Sequence, residues 1–244
     1  MSVLIEGKNV GKSFGGLTAV QGVDFQVMEG EIVGLIGPNG AGKTTLFNLI
    51  TGVFPPDSGT ITFAQKNLAG MKSFDICRLG IARTFQIVRP FLKMSCLENV
   101  LIGVIGREGR KTGTKEKTEK ARHIMSITGI ERLENRLAKD ITLIEKKRLE
   151  VARALATAPK AILLDEVMAG LNPSEMQQAM ELIEKIRSEL KITILWIEHV
   201  MGAIMKTSDR VVVMDQGQKI MEGTPEEVVR NRRVIEAYLG ENNA

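Results

Sequence analysis

The stretch "GLIGPNGAGKTT" (34–45) has residue types and a spacing that suit phosphate binding. Its glycines let the chain curl so that successive backbone N–H groups point inward at phosphate oxygens. Lys43 reaches the β- and γ-phosphates of a nucleotide, and Thr44 offers its hydroxyl to Mg²⁺. The predicted nucleotide-contacting residues are Gly37, Pro38, Asn39, Gly40, Ala41, Gly42, Lys43, Thr44 and Thr45.

Two adjacent carboxylates, Asp165 and Glu166, follow the apolar run "AILL". Such a run is typical of a buried strand in a parallel sheet, and on its own the acidic pair could be solvated in a loop. Beside a phosphate loop, we predict that Asp165 binds Mg²⁺ through water and that Glu166 polarises the attacking water as general base. The two motifs together predict a nucleoside triphosphatase, but not which kind.

The elements around these motifs predict an α/β fold. Segments 192–197 and 210–215 read as strands that follow helical patterns, which favours a parallel sheet flanked by helices. The N-terminal part differs, because three short strands joined by glycine-containing turns predict an antiparallel layer. These strands are expected in 3–14, 19–27 and 58–65.

Between about residues 87 and 158 the apolar residues follow helical spacing, and no strand pattern occurs. We therefore predict a helical subdomain over 87–158. It interrupts a nucleotide-binding core formed by residues 1–86 and 159–244.

Composition excludes several classes of protein. Apolar residues make up 43% and charged residues 25% of the chain, as in soluble globular proteins. No apolar stretch approaches the roughly 18–20 residues that span a bilayer, and the N-terminus lacks the pattern of a signal peptide. The basic stretch 107–122 has no interleaved aromatic residues, so nucleic acid is not an expected partner. A GTPase is disfavoured, because no Asn-Lys-x-Asp motif is present.

Several motifs occur in an order that resembles the ATPase subunits of ABC transporters over nearly the whole chain. They are the phosphate loop, "RTFQ" (83–86), "LEVARAL" (149–155), "LLDE" (163–166), "AGLN" (169–172) and "IEHV" (197–200). "KSFGGLTAV", "LENVLIGV", "AGLNPSE" and the C-terminal "EGTPEEVVRNRRVIEAYLG" look most like the branched-chain amino-acid importer branch. The resemblance implies a P-loop ABC ATPase core with a mixed sheet, an N-terminal antiparallel β layer and an inserted helical subdomain.

The resemblance also implies roles for single residues. Phe14 would stack on adenine, although a core phenylalanine is the alternative. Gln86 would reach Mg²⁺ and the attacking water, and His199 would touch the γ-phosphate; the carboxyl end of a strand is where such ligands bind. The predicted catalytic residues are thus Gln86, Glu166 and His199, and the predicted Mg²⁺ ligands are Thr44, Gln86 and Asp165.

Members of this family bind two ATP molecules between two cassettes that face head to tail. The resemblance therefore implies a second cassette, transmembrane permease subunits and, indirectly, a solute-binding protein, with the chain peripheral on the cytoplasmic face of the membrane. The sequence identifies neither the transported solute nor whether the two cassettes are identical.

The signature segment of this chain departs from the family pattern Leu-Ser-x-Gly-Gln/Glu. Thr142, Leu143, Ile144 and Glu145 would contact the nucleotide held by the partner cassette, and Ile144 replaces the glycine. Thr142 and Glu145 have the spacing of a capping box. We hypothesise that the nucleotide site on the partner cassette binds or hydrolyses ATP less well because of Ile144. The alternative is that the loop shifts slightly and that neither binding nor hydrolysis is lost. Val167 also departs, standing where relatives have proline.

Two other functions stay open. A soluble ABC ATPase outside transport would usually carry two cassettes in one chain or a long coiled-coil insertion. A regulatory cassette with a weak site would be expected to lose Lys43, Glu166 or His199, and all three are present.

Overall fold

Two β-sheets and their flanking helices make up the computed structural model, which describes residues 2–109 and 112–239. The strands are β1 (Val3–Phe14), β2 (Leu17–Met28), β3 (Ile32–Ile36), β4 (Ser58–Phe63), β5 (Lys66–Asn67), β6 (Ile81–Arg83), β7 (Ala161–Asp165), β8 (Thr193–Ile197), β9 (Arg210–Asp215) and β10 (Gln218–Gly223). The helices are α1 (Lys43–Ile50), α2 (Ser73–Leu79), α3 (Cys96–Glu108), α4 (Thr114–Ile127), α5 (Leu143–Leu155), α6 (Pro173–Leu190), α7 (Met201–Thr207), α8 (Pro225–Arg230) and α9 (Arg232–Leu239). None of the helices in the described ranges is long and apolar enough to cross a membrane.

The N-terminal strands form an antiparallel sheet with the order β2-β1-β4-β5. The second sheet is mixed, with the order β10-β9-β3-β8-β7-β6. Its central strands pair in parallel, and only β10 runs antiparallel to its neighbour β9. The predicted antiparallel layer and mixed sheet are therefore confirmed.

The parallel register brings strand ends that are distant in sequence to one edge. Ile197 of β8 pairs with Leu35 of β3 and with Asp165 of β7. All residues of β3, β7 and β8 are buried, because helices and the first sheet cover both faces, and such strands read as continuous apolar runs. The segments that follow these three strands therefore meet at the same edge of the sheet.

Three strands were not expected from the sequence. β5 and β6 have two and three residues, too short to show an alternating pattern. β10 is a partly exposed edge strand with polar residues, so it lacks the apolar run of the central strands. β6 extends the sheet beside β7, with Arg83 opposite Leu163, and leads directly into the segment that contains Gln86.

The helical segment between β6 and β7 has a hydrophobic cluster of its own, formed by side chains of α3, α4 and α5. Helix α5 contributes to two clusters. Leu149 and Ala152 lie in the helical cluster, whereas Val151 and Leu155 belong to a second cluster, which contains side chains of the mixed sheet. The helix is therefore shared between the helical segment and the sheet.

Helices α3 and α5 approach each other closely at Gly103. A Cβ atom at this position would lie 2.7 Å from Cβ of Ala156 and 2.9 Å from the carbonyl oxygen of Arg153. Gly106, one turn further along α3, is exposed, and a Cβ there would have no neighbour within 4 Å. The same helix thus contains one glycine that packing requires and one that it does not.

Gly103→Ala should lower the free energy of unfolding by about 1–3 kcal/mol, because the added methyl group overpacks the α3–α5 contact. Gly106→Ala is the matched control and should raise it by about 0.5–1 kcal/mol, the gain in helix propensity over glycine. Urea titrations followed by far-UV circular dichroism measure both. Equal midpoints for Gly103→Ala and the wild type would contradict the close contact.

Candidate active site

The loop between β3 and α1 has a conformation that requires glycine at two positions. Gly37 and Gly42 have φ angles of 148° and 98°. A Cβ at Gly37 would lie 2.0 Å from the carbonyl oxygen of Met214, and one at Gly42 would lie 2.3 Å from that of Ala19. Any side chain at either position would collide with backbone, so the loop can curl only with these glycines.

Lys43 begins α1 and is 6% exposed. Its Nζ atom donates to the carbonyl oxygens of Gly37 and Pro38, at 2.6 and 2.7 Å, which holds the ammonium group within the curve of the loop. No side chain caps the start of α1, and its first turn contains no acidic residue. The first N–H groups of a helix without such a cap are donors for an anion, and the helix dipole adds to the attraction.

Three residues predicted to be catalytic lie in direct contact. Oε1 of Glu166 is 2.7 Å from Nε2 of His199, and Oε2 accepts a hydrogen bond from Nε2 of Gln86 at 2.7 Å. The backbone N–H of Glu166 donates to the carbonyl oxygen of Ile197 at 2.9 Å. The parallel register thus brings together the residues that follow β6, β7 and β8, around one carboxylate.

Asp165 is held by a buried arginine that the sequence did not indicate. Arg83 donates to Oδ2 of Asp165 at 2.7 Å and to Oδ1 of Asn48 on α1 at 2.6 Å. Burial raises the pKa of Asp165, while the hydrogen bond and charge of Arg83 oppose this shift. Arg83 therefore connects the carboxylate after "AILL" to the helix that begins at the phosphate loop.

The predicted Mg²⁺ ligands face one cavity. Thr44, Gln86 and Asp165 all line a cavity of about 740 Å³ between α1, β6 and α5. Hydroxyl, amide and carboxylate oxygens are the hard donors that Mg²⁺ prefers. The donor set therefore fits Mg²⁺, with room for the water molecules that this ion usually keeps.

The turn that follows Glu166 is fixed by two buried charged residues, which sequence reasoning also missed. Nζ of Lys147, on α5, donates to the carbonyl oxygen of Glu166 at 3.1 Å. Oε1 of Glu198 accepts from the N–H of Met168 at 2.7 Å, and burial raises the pKa of Glu198 to about 7. The sequence offers a signal of position only, since Lys147 lies two residues before "LEVARAL" and Glu198 lies within "IEHV", directly before His199.

Helix α5 also contacts the segment before Gln86. Oε1 of Glu150 accepts a hydrogen bond from the N–H of Phe85 at 3.1 Å. Burial raises the pKa of Glu150 to about 7, although this hydrogen bond and the neighbouring Arg153 and Lys147 oppose the shift. The helical segment and the Gln86 segment are thus joined by a carboxylate at the cavity wall.

Phe14 lies at the end of the β1–β2 hairpin and is 41% exposed, so it is not a core residue. Its ring meets the ring of Phe54 edge to face, with centroids 5.3 Å apart, and Lys12 lies over it at 5.5 Å. Strand β2 reaches the phosphate loop at Gly42. An exposed aromatic face in this place suits stacking with a planar base.

The capping box predicted for the signature segment is confirmed. The N–H of Thr142 donates to Oε2 of Glu145 at 2.9 Å, and the N–H of Glu145 donates to Oγ1 of Thr142 at 3.4 Å. Arg132 also binds Glu145 at 2.8 Å. The side chain of Leu143 is half exposed, whereas Glu145 is buried.

Ile144 is half buried and lines a small apolar cleft together with Val167 and Leu171. Two departures from the family pattern, the isoleucine in the signature and the valine after Glu166, therefore face the same cleft. This gives a physical reason for the isoleucine, because its side chain fills apolar space under the helix start.

Two protein-family models match the sequence of this chain. Residues 20–169 match the model described as ABC transporter, and residues 218–243 match the model described as branched-chain amino acid ATP-binding cassette transporter. Among solved structures, an ATP-binding cassette of an ABC transporter in its ADP conformation is 33% identical with a TM-score of 0.90, covering 98% of this chain and 100% of that chain. cbiO1 from Clostridium perfringens, part of the ABC transporter complex cbiONQ, is 28% identical with a TM-score of 0.86, covering 99% and 100%.

Curated relatives are similar over almost their full length. The high-affinity branched-chain amino acid transport ATP-binding protein LivG of Salmonella typhimurium is 42% identical, covering 93% of this chain and 94% of that protein. The corresponding protein BraF of Pseudomonas aeruginosa is 40% identical, covering 98% of both. The chain therefore belongs to the ABC-transporter ATP-binding family, whose cassettes bind nucleotide and hydrolyse ATP in transport, and within it to the branched-chain amino-acid branch.

Proposed function

We propose that this chain is the ATP-binding and ATP-hydrolysing subunit of an importer for branched-chain amino acids or a similar small solute. The observation that carries the proposal is the contact of Glu166 with both Gln86 and His199, each at 2.7 Å, at the sheet edge that also bears the phosphate loop. A carboxylate in this position, with a glutamine and a histidine beside it, can orient and deprotonate a water molecule. The relatives named for branched-chain amino acid transport support the solute class.

In this proposal, ATP lies with its phosphates in the loop 37–45. Lys43 contacts the β- and γ-phosphates, the N–H groups of the loop and of α1 donate to phosphate oxygens, and Phe14 stacks on adenine. Glu166 activates the attacking water, and Gln86 and His199 hold that water and the γ-phosphate in line.

Thr44, Asp165 and Gln86 would hold Mg²⁺, with Asp165 acting through water. The ion, when bound, neutralises charge that develops on the phosphates. Arg83 donates to Oδ2 of Asp165 and does not occupy Oδ1. The carboxylate can therefore keep its ion pair and still accept from a water molecule on the other oxygen.

The second cassette would complete this site, and 142–145 of this chain would complete the partner's site in return. The capping box supports a stable helix start at that interface. The permease subunits would dock near Gln86 and the helical segment, on the surface where the apolar side chains of Phe85 and Ile87 are 53% and 65% exposed. Exposed apolar side chains that lie together are typical of an interaction site.

The chain would be peripheral on the cytoplasmic face of the membrane and would meet a solute-binding protein only indirectly, through the permease. Residues 87–158 would move as a helical subdomain against the core of 1–86 and 159–244; the separate hydrophobic cluster of α3, α4 and α5 supports this division. Purification from the native membrane tests the assignment, because recovery with a permease pair is expected and recovery with ribosomes or DNA would contradict it.

Glu166→Gln should abolish turnover yet keep ATP binding, because the amide retains the shape of the carboxylate but cannot accept the proton of water. We expect kcat to fall at least about 100-fold, within the range for loss of a general base. Gel filtration with Mg-ATP should then reveal a persistent ATP-bound dimer. Glu226→Gln, at an exposed carboxylate of α8, is the control. Wild-type turnover by Glu166→Gln would refute the catalytic assignment.

Lys43→Ala should instead weaken nucleotide binding itself, by about tenfold to a hundredfold, the usual scale for a hydrogen bond to a charged group. An equilibrium titration with a fluorescent ATP analogue measures the dissociation constant. The exposed Lys66→Ala in β5 removes the same charge away from the loop and should leave it unchanged. Equal affinity of Lys43→Ala and the wild type would argue against the proposed phosphate contact.

Ile144→Gly should preserve or raise the ATPase rate of the reconstituted transporter, if isoleucine makes the partner-held site the weaker of the two. In a complex with a different partner cassette, removal of the partner's catalytic glutamate should then cost little turnover. The asymmetry is disproved if that removal is as damaging as Glu166→Gln and Ile144→Gly has no effect.

A further inference from the structure

We propose that Lys147 is a positioning residue that ties the signature helix α5 to the turn carrying Glu166 in the same chain. Through this contact, the helix that completes the partner's site also sets the direction of the chain's own catalytic carboxylate. The inference rests on the proposed role of Glu166 in hydrolysis.

Lys147 is in an unusual position for a lysine, since it is 8% exposed. A buried ammonium group is unfavourable unless it is hydrogen-bonded and near opposite charge. Nζ donates to the carbonyl oxygen of Glu166 at 3.1 Å. Burial lowers the pKa of Lys147, and the carboxylates of Glu198, Glu150 and Glu166 oppose that shift. The side chain is therefore anchored to the turn by a hydrogen bond, in surroundings that include three carboxylates.

The turn needs such support because the backbone of Glu166 has φ = 50°. This angle lies in the left-handed region, which residues other than glycine rarely adopt. Its carbonyl oxygen accepts from Nζ of Lys147 and from the N–H of Ala169, at 3.3 Å. Glu198 holds the next part of the turn through the N–H of Met168. The backbone at Glu166 directs its carboxylate towards Gln86 and His199, so a change in the turn would change both contacts.

The contact made by Lys147 lies on the same helix as the signature segment that would meet the partner's nucleotide. Ile144 lies three residues before Lys147, on the same side of α5, and lines a cleft with Val167 and Leu171 of the segment after Glu166. One side of the helix start therefore lines a cleft with the segment after Glu166 and is bonded to the turn itself by the ammonium group of Lys147. A shift of the signature against the partner's nucleotide would reach Glu166 through the hydrogen bond of Lys147.

Lys147→Met removes the ammonium group but keeps an apolar side chain that suits the buried position. We expect kcat to fall about 10- to 100-fold, the cost of a misplaced catalytic group, with the dissociation constant for nucleotide and the melting temperature unchanged. Lys147→Arg should recover much of the rate, because a guanidinium can donate to the same carbonyl. Lys146→Met is the matched control, since Lys146 is only partly buried and its side chain makes no hydrogen bond among the described residues.

Amide hydrogen exchange of the full-length protein gives a readout that does not depend on hydrolysis. The peptide containing Met168 and Ala169 should exchange faster in Lys147→Met, without nucleotide, and at the wild-type rate in Lys146→Met and Lys147→Arg. Unchanged exchange in Lys147→Met, or a joint loss of rate, affinity and melting temperature, overturns the inference. A wild-type chain without ATPase activity in the assembled transporter would count against the proposed function instead, and the exchange measurement would still decide the role of Lys147.

Discussion

The parallel pairing of β3, β8 and β7 is the constraint on which the rest of the site depends. Ile197 pairs with Leu35 on one side and with Asp165 on the other, so three chain segments leave the sheet at one level. The phosphate loop and His199 follow their strands within a few residues, and the acidic pair stands at the end of β7. A shift of the register by one residue would move every side chain to the opposite face of its strand and separate the groups.

Much of this arrangement could be predicted from local sequence. The glycines at 37 and 42 fit a loop geometry that collides with any side chain, and the apolar run before Asp165 fits a strand buried on both faces. Arg83, Lys147 and Glu198 could not be found in this way. Each is a charged residue whose partner lies far away in sequence, and a charged residue read alone is normally exposed. The short strands β5 and β6 were missed because their pairing, and not their composition, makes them strands.

Buried charge is concentrated where α5 meets the ends of β7 and β8. Lys147, Glu150 and Glu198 are each at most 8% exposed, and each bonds to a backbone group of a segment that carries a predicted catalytic residue. Burying such groups costs free energy. Their hydrogen bonds to the backbone around Phe85, Glu166 and Met168 fix these segments in a way that apolar side chains could not.

Helix α5 belongs to two hydrophobic clusters, with Leu149 and Ala152 in one and Val151 and Leu155 in the other. Unfolding of α5 would expose apolar surface in both clusters. Local opening of the helical segment is therefore coupled in free energy to opening of the sheet core, and the two parts should unfold in one cooperative step even if they move as separate bodies in the native state.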